Sequence, residues 1–346
     1  MQVLNYFLRR LLLIIPTFIG ATLIVFAVTR FVPGGPVEQA IMARQLSMAE
    51  GGKGSVRSTQ DSQPLGEKQL EQLKQYYGFD KPWYISYVTW LGKILQGDLG
   101  RSTKYSDPVG KMIVEKIPIS LRFGIVSTLL IYLICIPLGV KKALTHGKPF
   151  DNISSVVVFV GYAIPSYIVA IILFSVFAAR LGWFPMGGYQ SMDMIRNDMN
   201  ALQKLWDSIR HMFLPMLAYV LGGFATLTIA MKNLLMENMA SDYIKTAVAK
   251  GRTFKDAMWL HAFRNSVIPI AAGLGGLIGL FLSGSFLIEQ IFNIRGMGLL
   301  GYTSLMDRDY PVVMGTLVIT TLITLIGNIL SDFILSMVDP RIRLGK

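Results

Sequence analysis

Six apolar stretches, at about 8 to 30, 120 to 140, 153 to 179, 213 to 235, 266 to 290 and 312 to 337, dominate the 346-residue chain. Each holds about 20 residues or more, enough at a rise of 1.5 Å per residue to cross a hydrocarbon core of ~30 Å. None reads as a strand, and the expected fold class is an all-α integral membrane protein with six transmembrane helices. Only 16% of the residues are charged, against roughly a quarter in a soluble domain, which excludes an ordinary cytosolic enzyme. Arg9 and Arg10 ahead of the first stretch suit a signal peptide. The stretch outruns a normal signal core and no small-residue cleavage site follows, so an uncleaved helix is expected.

The formal net charge of +12 raises nucleic acid as a partner. Basic residues that flank apolar spans are what membrane orientation demands, however, and no nucleic-acid partner is expected. With the N-terminus inside, the cytoplasmic segments carry Arg9 and Arg10; Lys141, Lys142 and Lys148; Lys245, Lys250, Arg252, Lys255 and Arg264; and Arg341, Arg343 and Lys346. The short outside loops hold only Arg180, Arg196, Lys204, Arg210, Arg295 and Arg308. This bias puts both termini in the cytoplasm. The single cysteine, Cys135, lies within a span, so neither a disulfide framework nor a metal-binding cysteine pair is available.

The expected layout is an N-terminal transmembrane helix at 1–32, an extracytoplasmic helical cap at 33–118, and a five-helix core at 119–346 with a cytoplasmic loop at 236–265. Within the cap, SMAEGGKGSVRSTQDSQPLG (47–66) has almost no large apolar residue and is expected to be a flexible insertion. EKQLEQLKQYY and KPWYISYVTWLGKIL, which follow it, have helical spacing, with Pro82 suited to a first turn and aromatics suited to a membrane interface.

Pro16, Pro137, Pro165, Pro215 and Pro269 place one proline in each of the first five spans. Bends there would suit a gated path, although proline is also common in transmembrane helices generally. Gly275, Gly279 and Ser283 recur at a four-residue spacing that lets another helix approach closely. The ionisable residues within spans, Arg30, Lys232, Glu289 and Asp332, lie near span ends, whereas an ion-coupled carrier needs a charged or unwound site near mid-depth. Asp332 is expected to pair with a backbone or basic group near the inner surface.

Several motifs that look chemical lack their context. GMGLLG places Gly296, Gly298 and Gly301 in the dinucleotide spacing, but outside any βαβ unit, where a flexible turn explains it. No phosphate-cradling G-x-x-x-x-G-K-[ST] occurs, His146, His211 and His261 have no metal-ligand spacing, and there is no nucleophile elbow. No enzyme activity and no cofactor in this chain are expected.

The informative stretch is SDYIKTAVAKGRTFKDAMWLHAFRNSVIP, 241–269. Ile244, Ala247 and Val248 share one face of a short helix, with Ser241 or Asp242 as its N-cap and Gly251 where a helix ends in a left-handed turn. Thr253 and Asp256 have capping-box spacing for a second helix that leads into the next span. The alternative for such a loop is an ordinary interfacial amphipathic segment.

This loop resembles the coupling loop of binding-protein-dependent ABC importer permeases, whose loose pattern is EAA, three residues, then Gly. Thr246, Ala247 and Gly251 match, while Lys245 stands at the Glu position. The peptide/nickel branch is closer: Tyr243, Ile244, Lys245, Thr246, Ala247, Lys250, Gly251, His261, Arg264, Asn265 and Pro269 follow its pattern, with Ser266 for the usual Ala. The resemblance extends through the PGGP, GDLG, RDYP and DPRIR stretches, and within the branch it is strongest to Yej-type permeases for oligopeptides and microcin C. Leu335 departs where the family often has Tyr.

The resemblance implies a type I importer half in the bacterial inner membrane. It would pair with a second, homologous permease; two ABC ATPase domains, separate or fused, would bind ATP and Mg and dock on the coupling loops; and a periplasmic binding protein would deliver a peptide to the outer face. The competing classes are a stand-alone secondary carrier or channel, and a membrane anchor or sensor without a path.

Overall fold

The computed structural model describes residues 2–31, 41, 71, 75, 80–195, 198–274, 276 and 284–338. Among these the regular elements are helices, apart from one isolated antiparallel bridge between Arg101 and Pro108. They are α1 (Gln2–Phe31), α2 (Trp83–Leu95), α3 (Val109–Leu144), α4 (Pro149–Ala163), α5 (Ser166–Leu173), α6 (Met192–Ile195), α7 (Ala201–Ala240), α8 (Asp242–Ala249), α9 (Phe254–Ala257), α10 (Arg264–Ala272), α11 (Phe286–Ile291), α12 (Met297–Met306) and α13 (Tyr310–Val338). Two π-helical windings, Phe174–Arg180 and Met258–Phe263, continue α5 and join α9 to α10.

Four helices are long and apolar enough to cross a membrane: α1 over Tyr6–Phe31, α3, α7, and α13 over Tyr310–Met337. A fifth candidate is the pair formed by α4 and the helix Ser166–Arg180, which meet at 93°. The break falls at Ile164, whose extended ψ of 118° precedes Pro165 at φ −54°. A residue before proline is pushed away from the helical region by the ring, which makes this corner accessible to the chain. Pro16, Pro137, Pro215 and Pro269 instead sit inside helices that continue through them, so of the five prolines Pro165 is the one at a break. The fifth expected span runs through Gly275, Gly279 and Ser283, which lie outside the described residues, as do the 47–66 stretch and the basic C-terminal residues.

The chain divides into two units. The first comprises Met1–Leu13, Lys116–Leu299 and Leu322–Lys346. Its spine is α7, begun by a capping box in which Asn200 Oδ1 accepts from Gln203 N at 2.9 Å and Gln203 Oε1 accepts from Asn200 N at 3.0 Å. Helices α4, α5 and α10 pack along it. One apolar cluster gathers Ile131, Cys135, Ala218, Tyr219, Ile288 and Ile294. A second, toward the end of α7, gathers Val140, Met231, Leu235, Ile244, Met258 and Ile270. Helix α3 approaches α7 so closely that a Cβ on Gly139 would stand 2.7 Å from Met231 Cβ and 2.9 Å from the Thr228 carbonyl. Arg10 pairs with Asp332 at 2.8 Å.

The GMGLLG loop is not a flexible turn. The Glu289 carboxylate, 2% exposed, accepts from Leu299 N at 2.6 Å, and Met297 N donates to Ser120 Oγ at 2.8 Å. A Cβ on Gly296 would stand 2.5 Å from Glu289 Oε1, and one on Gly298 2.9 Å from backbone at Gly284 and Phe286. These glycines admit a carboxylate and a neighbouring strand of backbone that side chains would displace.

The second unit comprises Ile14–Glu115 and Leu300–Thr321. Tyr87 of α2 meets Thr22 of α1 at 3.0 Å and donates to the Ile19 carbonyl at 3.2 Å, while Phe26 packs on Tyr87 and Trp90. The stretches 102–104 and 307–309, far apart in sequence, meet here: Ser102 Oγ and Thr103 N both donate to Asp309, and Lys104 pairs with Asp307 at 2.6 Å.

Candidate functional site

Helix α7 ends at Ala240, and Ser241, with ψ 151°, turns the chain at once into α8. Ser241 is the N-cap by position, but its hydroxyl donates back to the Glu237 carbonyl at 3.1 Å and does not cap α8. Asp242, in the first turn, supplies the negative charge that a helix N-terminus favours. Its carboxyl is held below the usual carboxylate range, first by the hydrogen bond from Lys245 at 2.8 Å and then by that ammonium's charge.

Ile244 is the anchor. At 2% exposed it enters the second cluster beside Met231, Leu235, Met258 and Ile270, with Ala247 packed behind it. Val248, expected on the same face, is 40% exposed and points away from that cluster. Lys245, Thr246 and Lys250 are exposed.

A polar chain doubles the anchor. Tyr243 Oη donates to Asn238 Oδ1 at 2.6 Å, Asn238 Nδ2 donates to Ser266 Oγ at 3.1 Å and to the Leu234 carbonyl at 2.8 Å, and Ser266 Oγ lies 2.7 Å from the Ala262 carbonyl that it donates to. Helix α8 is thereby tied to the end of α7 and to α10. Ser266, a one-atom departure from the pattern's Ala, is a buried member of this chain. Asn238, within the expected loop at 236–265, carried no signal of its own in the sequence.

The turn after α8 is a Schellman motif. Gly251, at φ +90°, donates to the Val248 carbonyl at 2.9 Å, and Arg252 N donates to the Ala247 carbonyl at 3.2 Å. Thr253 then caps the next helix, accepting from Asp256 N at 3.1 Å. His261 lies in the π winding, with Arg264 and Asn265 at the start of α10. His261 and Arg264 are exposed and Asn265 is half-buried. The winding itself was not legible from the pattern; such turns cluster at functional sites.

The exposed side chains of this elbow are Lys245, Lys250, Arg252, Lys255, His261 and Arg264, the acidic Asp242 and Asp256, and the apolar Val248, Phe254 and Trp259. Nothing in it is arranged as a nucleophile, base or oxyanion site. Among the described residues no group of three or more His, Cys, Asp and Glu side chains is placed to hold a metal ion. What the geometry offers is a short helix with an exposed, mostly basic surface, anchored to the end of a 40-residue helix.

The chain belongs to the family of binding-protein-dependent transport system inner membrane components, which matches residues 135–344. It is a multi-pass protein of the inner membrane. It is 40% identical to the inner membrane ABC transporter permease protein YejB of Escherichia coli O157:H7, over 97% of this chain and 98% of that protein. It is 36% identical to the peptidoglycan transport system permease protein YejB of Agrobacterium fabrum, over 97% of each. The oligopeptide transport system permease protein AppB of Bacillus subtilis is 33% identical, over 97% of this chain and 98% of its own length.

Proposed function

We propose that this chain is one of two permease subunits of an ATP-driven importer of peptides or peptide-bearing molecules. In this reading it crosses the membrane six times with both termini in the cytoplasm, as a type I importer half. Residues 33–118 form an outer cap and 236–265 the coupling loop. Separate or fused ABC ATPase domains bind ATP and Mg and grip α8, and a periplasmic binding protein delivers the substrate. The substrate class rests on relatives named as permeases of a peptidoglycan and an oligopeptide transport system.

The observation that carries the reading is the doubly anchored α8. Ile244 and the Tyr243, Asn238 and Ser266 chain make a push on its outward face a push on α7 and α10. A lever built this way transmits work only if a partner contacts it differently in two states, which is what an ATPase that opens and closes supplies.

Replacing Gly251 by Val tests it. A Cβ there meets nothing within 4 Å, so the cost is conformational, about 1–2 kcal/mol for a left-handed non-glycine residue, and is confined to the turn. Membrane insertion should be unchanged, while ATPase co-purification weakens and uptake is lost. Normal co-purification together with normal uptake overturns the reading, as does uptake by the purified chain in liposomes without ATP.

A further inference from the structure

A second polar constellation plays no part in the elbow. Asp151, at the start of α4, is 2% exposed and faces two ammonium groups. Lys232 of α7 donates to both carboxylate oxygens at 2.8 Å, and Lys142 of α3 lies 3.1 Å from Oδ1. Gly147 N donates to Oδ2 at 3.2 Å, His146 Nδ1 lies 3.2 Å from the same oxygen on a largely exposed ring, and Ser155 Oγ lies 3.4 Å from Oδ1. Lys142, 1% exposed, also donates to the Asp151 carbonyl, Ser154 Oγ and Ser155 Oγ at 3.0, 2.9 and 2.7 Å. It is satisfied within the hairpin of α3 and α4. The bonds of Lys232 to Asp151 cross from α7 to α4.

Buried ion clusters are poor sources of net stability, because desolvating each charge costs several kcal/mol and well-packed apolar residues often serve as well or better. What they fix is register. Between helices in a bilayer, apolar side chains compete with lipid that is equally apolar. Sliding α4 along α7 by one turn would instead separate Lys232 from its carboxylate.

We propose that Lys232 and Asp151 are positioning residues that make α4, the first half of the broken span, move as one body with α7 when α8 is driven; this rests on the proposed role of α8 as the handle of an ATPase. Lys232 sits about 12 Å before α7 ends at Ala240, at 1.5 Å per residue, and α8 follows directly. Helix α4 runs from Asp151 to the 93° corner at Ile164. The pair thus stands between the lever and the bend.

The charge count makes a clean variant available. The cluster has two ammoniums and one carboxylate, so Lys232→Met leaves Lys142 and Asp151 balanced, and Lys232→Arg keeps a two-pronged bond to both oxygens. In the assembled complex, spin labels at Val157→Cys on α4 and Asn233→Cys on α7 report their separation with and without ATP and vanadate. The wild type and Lys232→Arg should hold one narrow separation, changing by no more than about 2 Å on trapping, whereas Lys232→Met should broaden or shift by about 5 Å, a full helical turn. ATPase co-purification should be equal in all three.

A Lys232→Met complex that keeps the narrow separation in both states overturns the proposal, as does a wild type whose α4 and α7 part on trapping. Loss of assembly in Lys232→Met alone assigns the pair to folding and overturns it too. A wild-type chain that recruits no ATPase defeats the reading of α8 itself, which distinguishes that failure from failure of the pair.

Discussion

Ile244→Ala separates the lever from its fulcrum. Helix α8 has eight residues, far short of the roughly 12–15 at which an isolated helix becomes even marginal in water, so its order is borrowed from what it packs on. Ile244 supplies most of that packing, because Tyr243 bonds at the surface and Ala247 is small and half-buried. Truncating a fully buried Ile removes its transfer free energy and leaves a cavity, about 2–5 kcal/mol together. At 1.4 kcal/mol per decade this raises the local opening equilibrium by roughly 30-fold to several thousand-fold.

Hydrogen exchange in the detergent-solubilised chain reads that equilibrium. The amides of α8 should lose protection by that factor while those of α3 and α7 keep theirs, since the cluster beneath still holds Met231, Leu235 and Ile270. Ile244→Val removes one methylene and should cost about 0.5–1.5 kcal/mol, a loss of roughly 2- to 12-fold. Uptake and ATPase co-purification should fall in the same order. If Ile244→Ala leaves α8 protected within threefold of wild type, the helix is held by something other than this side chain and the lever argument fails.

Acid should loosen the start of α8. The folded Asp242 carboxyl titrates below its unfolded value, so its contribution is complete above that value, about 3.9, and is lost as pH falls through the folded one. α8 protection should therefore be flat from pH 6 to 8 and drop below about pH 4, and Lys245→Met should remove that drop. Gly139→Ala should cost about 1–3 kcal/mol as overpacking, seen as a lower unfolding temperature in detergent, because the Thr228 carbonyl that blocks the Cβ is backbone. Asp309→Asn replaces the two carboxylate acceptors of Ser102 Oγ and Thr103 N by a single neutral oxygen, at about 1–3 kcal/mol, and should speed proteolysis around residues 98–108.

The helical class, the existence of each long helix and the Gly251 turn were legible because each depends on near neighbours in sequence, whereas the helices begin up to about a dozen residues before the apolar runs, at Val109 and Ala201. Apolar runs of 20 residues, a glycine after a short amphipathic helix, and Thr253 three residues ahead of Asp256 are local signals. What escaped was pairing across distance. Lys142 read as a loop charge for orientation and is buried 1% exposed, because its counter-ion Asp151 stood just outside the span drawn at 153. Gly296 and Gly298 read as slack, since nothing nearby announces that Glu289 needs room between them. Asn238 and Ser266 were unremarkable singly and acquire a role only as partners. The corner at Pro165 is the intermediate case: five prolines looked alike, and only the packing around them decides which helix breaks.

Directional contacts fix α7 to three neighbours in turn, and this bears on how a stroke at α8 is received. Lys232 reaches α4, Asn238 reaches α10, and Met231 fills the space that Gly139 of α3 leaves open. Each would be lost by a shift of one turn, and none is replaced by lipid, which has neither the bond nor the shape. A helix held only by apolar side chains would yield by sliding, and the displacement would be spent in the first contact. With register held on three sides, the low-cost response is for α7 and its neighbours to rotate together and for deformation to collect where hydrogen bonding is already interrupted, at Ile164 and Pro165. In the proposed importer the broken span would then be the part of the first unit that changes shape, and the charged and polar residues near the end of α7 the reason that it, and not the lever, does so.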